Sequence, residues 1–209
     1  MSLPVSISAL LLLGLAQATP VGSDPEGPPR APHHTTPEKD GVPLGSGPIV
    51  LDAYIDFQCP YCRAFEMSSG DSLRALADEG VITLVYHPMD FLDQASTNRY
   101  SSRAASASGC AADADRFADY AQVLFANQPP EGGPGLSDRE LAELGVLIGL
   151  TDPAFVRCVP QHPYVPWSNY VTQRAFARGV TATPTTLVAG APVPANAAAV
   201  AAAARALLR

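Results

Sequence analysis

The chain has 209 residues, enough for one domain with a leader or an insertion. Hydrophobic residues make up 47% and charged residues 16%, which excludes a wholly disordered chain and a coiled coil. With 20 acidic against 13 basic side chains, the net charge of -7 argues against a nucleic-acid partner, whose phosphates are bound by Lys and Arg.

The prolines open the chain. Nine of 21 fall within residues 1–48, where Phe, Tyr and Trp are absent, so this segment lacks the large apolar side chains that offset ordering entropy. Val5 to Leu15 is a short apolar run ending in Ala16-Gln17-Ala18, the small-x-small pattern of a secretory cleavage site. Residues 1–18 therefore read as a signal peptide and 19–48 as a Pro-rich disordered linker in which His33 and His34 are solvated. Export follows as the expected localisation. A retained membrane anchor is the alternative, although Pro4, Gln17 and Pro20 interrupt the roughly 18 apolar residues a span requires.

Folded structure is expected from Ile49. Ile49 to Phe57 is rich in β-branched and aromatic residues and reads as a strand covered on both faces. It runs directly into Cys59-Pro60-Tyr61-Cys62, followed by helical character over Arg63 to Ala77 with a weak point at Ser68-Ser69-Gly70. Cys59 thus stands at a helix start, where unpaired amides and the positive end of the helix dipole favour a thiolate. Cys62, one turn on, is placed to resolve a mixed disulfide. Pro60 suits the first helical turn because its missing N–H has no helical partner to lose there. Half a zinc site is an alternative reading, but the two further ligands have no obvious motif, so neither metal nor other cofactor is expected. A strained structural Cys59–Cys62 bridge is another.

A second strand is expected over Val81 to Tyr86, then a turn at Pro88 to Asp93. Residues 95–178 read as a helical insertion: an Ala-rich helix over Ser96 to Ala126, a Pro/Gly breaker from Gln128 to Leu136, and a capping box at Ser137 to Glu140 opening a helix through Leu147. Another helix starts at Asp152-Pro153, and a last one spans Pro166 to Arg178. Gly179-Val180-Thr181-Ala182-Thr183-Pro184 then leads into a strand, and Asn196 to Leu208 reads as a terminal helix closing the sheet.

Strand, C-x-x-C and helix, joined to a distant Gly-Val-x-x-x-Pro segment, resemble the thioredoxin-like proteins. The resemblance implies a cis peptide at Pro184 and a Thr183 backbone that pairs with an extended substrate. An ordinary edge-strand proline is the alternative. With its helical insertion, the chain resembles the DsbA-like thiol:disulfide oxidoreductases, and Asp56 to Glu66 together with Asn98 to Arg103 look like their actinobacterial branch. The implied fold is α/β: a thioredoxin-like domain over 49–94 and 179–209, split by the insertion.

The resemblance also bears on the remaining cysteines. A redox-active Cys59–Cys62 pair leaves Cys110 and Cys158, on the first and third inserted helices, to form the structural bridge expected of that branch; two free thiols in a reducing compartment are the alternative. The implied activity is disulfide formation in reduced or unfolded exported proteins, with reoxidation by a membrane partner of the DsbB or vitamin K epoxide reductase type. Direction stays open. The family's acid six residues before the first cysteine is replaced by Ala53, Asp52 points to the opposite strand face, and Asp56 and Glu66 flank the motif with unknown orientation. A reductase or isomerase, or a non-catalytic thioredoxin-fold chaperone, are the alternatives.

Overall fold

A computed structural model describes residues 30–208; the apolar run and cleavage pattern read as a signal peptide lie outside them. A five-stranded sheet in the order β1-β3-β2-β4-β5 forms its centre. Strands β2 (Ile49–Ile55) and β3 (Ile82–Pro88) are parallel, in register from Ile49 opposite Ile82 to Ile55 opposite Pro88, and helix α1 (Pro60–Asp78) makes the crossover between them. Strand β4 (Thr185–Val188) runs antiparallel to β2 and pairs with β5 (Ala191–Val193). The turn between β4 and β5 has positive φ at both Ala189 and Gly190, the handedness that suits a tight hairpin.

Strand alternation divides the core. Leu51, Ala53 and Ile55 of β2 and Leu84 and Tyr86 of β3 are fully buried on the α1 side, where the Tyr86 hydroxyl donates to Glu66 of α1. The terminal helix α7 (Ala197–Leu207), capped by Asn196, packs beside α1; its Ala197 amide donates to the Ser69 hydroxyl at 3.2 Å. Helix α1 is continuous through Ser68-Ser69-Gly70, so the expected weak point is not a break. The small residues instead make room: a Cβ at Gly70 would lie 2.5 Å from Glu66 Oε1.

The disordered linker expected over 19–48 is corrected from residue 30 onward. Strand β1 (Val42–Leu44) pairs antiparallel with β3, Val42 opposite Tyr86. Before it, the Lys39 carbonyl accepts the Trp167 indole N–H at 2.7 Å, the Glu38 carbonyl accepts the Tyr170 hydroxyl at 3.0 Å, and Asp40 pairs with Arg178 at 2.7 Å. This segment has no aromatic of its own, but its carbonyls and one carboxylate are partnered by side chains from the helical insertion. Composition alone does not reveal such borrowed anchoring. The side chains of His33 and His34 stay exposed.

Between β3 and β4 lie α2 (Tyr100–Ala112), α3 (Phe117–Ala126), α4 (Asp138–Leu147), α5 (Pro153–Cys158) and α6 (Val165–Ala177). The single helix expected over 96–126 is thus two, broken near Asp115, whose φ is positive. The break turns Phe117 toward Tyr86, with ring centroids 5.5 Å apart, and lets Phe125 meet Phe57 at 5.0 Å. It also makes Cys158 part of the fourth inserted helix. Helix α2 is buried on nearly every side, which its Ala, Ser and Gly composition permits; a Cβ at Gly109 would meet Tyr164 at 2.7 Å. The Ser137–Glu140 capping box and the Asp152 cap are formed. A disulfide joins Cys110 of α2 to Cys158 of α5, with Cα atoms 6.0 Å apart. Among the described residues, no helix is long and apolar enough to cross a membrane.

Candidate active site

The end of β2 delivers Asp56 to Gln58 into a tight turn, and Cys59 follows as the residue that caps α1. Its backbone is extended, Pro60 occupies the first turn, and the amides of Tyr61 and Cys62 in that turn face the Cys59 sulfur. Cys59 and Cys62 are free thiols; Cys62 is fully buried and Cys59 is 4% exposed. Tyr61 between them is 76% exposed and stands at the mouth of the site.

The second half of the site comes from the far end of the chain. Gly179 ends α6 in the left-handed region, Val180 is buried, and the Thr183–Pro184 peptide is cis. This brings the Thr183 carbonyl to 3.2 Å from Cys59 Sγ, which donates to it. The Asp56 amide donates to Cys62 Sγ at 3.4 Å.

These contacts separate the two thiols. Hydrogen bonds, first from the Cys62 thiol and then from the Thr183 side chain and the amides of Cys62 and Tyr61, outweigh burial and lower the Cys59 thiol to about 6. Burial, followed by the hydrogen bond it gives Cys59 and by the charge of that residue, pushes the Cys62 thiol well above its ordinary value. Cys59 is therefore the sulfur that carries a thiolate near neutral pH, and Cys62 holds its proton.

The flanking carboxylates differ. Glu66 is held in a buried network with Arg74 and Tyr86. Asp56 lies beneath the redox loop and accepts hydrogen bonds from the amides of Gln58 and Leu92, both at 2.8 Å, and from the Ser101 hydroxyl at 2.7 Å. Burial raises its carboxyl to about 7, and the Cys59 charge acts in the same direction. Asp52 lies on the other sheet face, 3.0 Å from His87 Nε2. Ala53 is buried and brings no ionisable group.

Two further contacts escaped sequence reasoning. Gln128 Nε2 donates to the carbonyls of Phe57 and Cys59 at 2.9 and 3.0 Å, and Ser101 reaches Asp56 from α2. Both tie the redox turn to the helical insertion. Gln128 lies in the stretch read only as a breaker, and Ser101 in a helix read only for its small residues. Among the described residues no group of three or more His, Cys, Asp or Glu is arranged to hold a metal ion.

A thioredoxin frame with an inserted helical domain, a C-x-x-C cysteine capping α1 and a cis-proline beside it define a thiol–disulfide exchange protein. The thioredoxin family profile matches residues 45–204. A reduced disulfide bond oxidoreductase (DsbG) from Mycobacterium tuberculosis superposes with a TM-score of 0.70 at 31% identity, covering 81% of this chain and 88% of that one. An oxidised DsbA from the same genus gives a TM-score of 0.71 at 31% identity, covering 81% and 93%. The serine/threonine-protein kinase PknE of M. tuberculosis is 32% identical over 129 residues, 57% of this chain, and the match spans 23% of that kinase's length. The chain belongs to the thioredoxin family and, within it, to the DsbA-like thiol:disulfide oxidoreductases.

Proposed function

We propose that the chain introduces disulfides into reduced, exported proteins through Cys59 and Cys62. The observation that carries this reading is the placement of Cys59 Sγ at the start of α1, 3.2 Å from the carbonyl before cis-Pro184. In the oxidised protein a substrate thiolate attacks Cys59 Sγ, forms a mixed disulfide and expels Cys62 as a thiolate. The substrate's second thiol, as a thiolate, then attacks its own bonded sulfur, releasing Cys59. The substrate leaves with a new disulfide and has given up two protons and two electrons. The electrons remain on the Cys59–Cys62 pair, one proton goes to Cys62, and the other goes to solvent when Cys59 stays ionised. A low Cys59 pKa makes it the better leaving group in the release step.

Thr183 supplies backbone alongside which an extended substrate segment lies, Pro184 keeps that backbone turned toward the sulfur, and the exposed Tyr61 meets the substrate beside it. Pro60 starts α1 so that its free amides face Cys59. The Cys110–Cys158 bridge serves stability, and it supports an oxidising compartment and hence export. Reoxidation then calls for a two-electron acceptor, for which a membrane partner of the DsbB or vitamin K epoxide reductase type fits this class.

One observation favours a reductase or isomerase instead. The Cys59 value of about 6 lies nearer the ~7 of thioredoxin than the ~3.5 of a strong oxidase. The test is oxidation of a reduced dithiol peptide by the oxidised chain, with dithiothreitol-driven insulin reduction in parallel. The wild type turns over in the first assay, and Cys59→Ser abolishes it. Turnover confined to insulin reduction moves the assignment to a reductase. A wild type inert in both assays, or a fully active Cys59→Ser protein, refutes the mechanism.

A further inference from the structure

The mechanism above leaves one buried ionisable group at the redox turn without a task. Asp56 is fully buried, and its backbone touches both cysteines: its carbonyl accepts the Cys59 amide at 3.1 Å and its amide donates to Cys62 Sγ at 3.4 Å. Its carboxylate is held by three neutral donors, the Gln58 and Leu92 amides and the Ser101 hydroxyl. Their combined effect is smaller than the effect of burial, so the group takes up a proton near neutral pH. The groups that interact with it are Cys59 and Cys62 from the start of α1, Gln58, the Leu92 amide from the β3–α2 connection, and Ser101 and the Tyr100 phenol from α2. Burial and then the Asp56 charge keep that phenol protonated.

We infer that Asp56 is a positioning residue that governs the redox pair electrostatically: its ionised carboxylate opposes the Cys59 thiolate and restrains the oxidising power of the disulfide. The inference rests on the proposed Cys59–Cys62 exchange. In the disulfide Cys59 bears no charge, so burial alone opposes the ionisation of Asp56 and the group loses its proton at lower pH than in the reduced protein. Two glutathione thiols reduce that disulfide, giving one oxidised glutathione, a Cys59 thiolate, a protonated Cys62 and one further proton. The new thiolate raises the proton affinity of Asp56, which takes up part of that proton; the rest goes to solvent. Reduction is therefore coupled to Asp56 protonation in the range where both groups titrate. Above that range both are charged in the reduced form, and their repulsion favours the disulfide.

The test equilibrates the full chain with reduced and oxidised glutathione from about pH 5 to about pH 8, with alkylation to count free thiols. For Asp56→Asn, the equilibrium constant for reduction should exceed the wild-type constant on the order of tenfold at about pH 8 and merge with it at about pH 5. Ser101→Ala removes one donor and keeps Asp56 protonated to higher pH. It should depart in the same direction around pH 7 and rejoin the wild type at higher pH, and it carries the test where Asp56→Asn fails to fold. A purely structural role for Asp56 gives an offset that does not vary with pH. That result, superimposed curves, or a smaller constant in Asp56→Asn would overturn the inference while leaving the redox pair standing. A wild type that does not exchange with glutathione overturns the functional reading and this inference with it.

Discussion

Replacing Cys110 and Cys158 together by Ala should separate stability from redox chemistry. The bridge closes a loop with a sequence separation of 48, for which chain-entropy arithmetic gives about 4 kcal/mol of stabilisation. Set against a typical domain stability of about 5–15 kcal/mol, its loss leaves a folded but marginal protein. At roughly 2–4 °C per kcal/mol for a chain of this size, the melting temperature should fall by about 8–16 °C. Alanine is the useful replacement because it introduces no stray thiol that exchanges with Cys59. Urea titration with the Cys59–Cys62 pair held oxidised measures the loss directly, and an unchanged denaturant slope shows that the folded state is the same. Peptide oxidation well below the new melting temperature should persist, because the bridge joins α2 to α5 and touches neither redox sulfur. A loss below about 1 kcal/mol refutes the reasoning, as does inactivation of a variant that is still folded.

Two further predictions concern the site and the helix that carries it. The reduced protein should show thiolate absorbance that rises with a midpoint near 6, the value to which Cys59 is lowered from 9.0. Because the folded value lies below the unfolded one, the stabilisation this gives the reduced form is complete above about pH 9 and is lost as pH falls through about 6. Denaturation of reduced and oxidised protein across that window checks the sign, and a midpoint near 9 contradicts the geometry. Gly70→Ala should destabilise by about 1–3 kcal/mol despite the better helix propensity of Ala, since the added Cβ lies 2.5 Å from Glu66 Oε1 and displaces the Glu66–Arg74–Tyr86 network. A stabilised variant would show that this network relaxes freely.

The frame of the fold was legible because its signals are local. The apolar run at Ile49 to Ile55, the redox motif that follows and the helical spacing after it lie within one βαβ unit, and cap residues announce α4 and α5. What escaped depends on partners distant in sequence. Residues 30–44 look like a tether because they lack bulky apolar groups, yet Trp167, Tyr170 and Arg178 hold them. The turn between α2 and α3 interrupts a sequence that is helical by composition, since only the packing of Phe117 and Phe125 requires it. The direction of Asp56 was unreadable for the same reason: the hydroxyl and the amide that fix it come from Ser101 and Leu92.

The reduction potential of the Cys59–Cys62 pair, measured against glutathione, tests the central claim most directly. A disulfide-forming oxidase predicts a value on the side of about −120 mV, and a value near about −270 mV would contradict it and assign the chain to reduction.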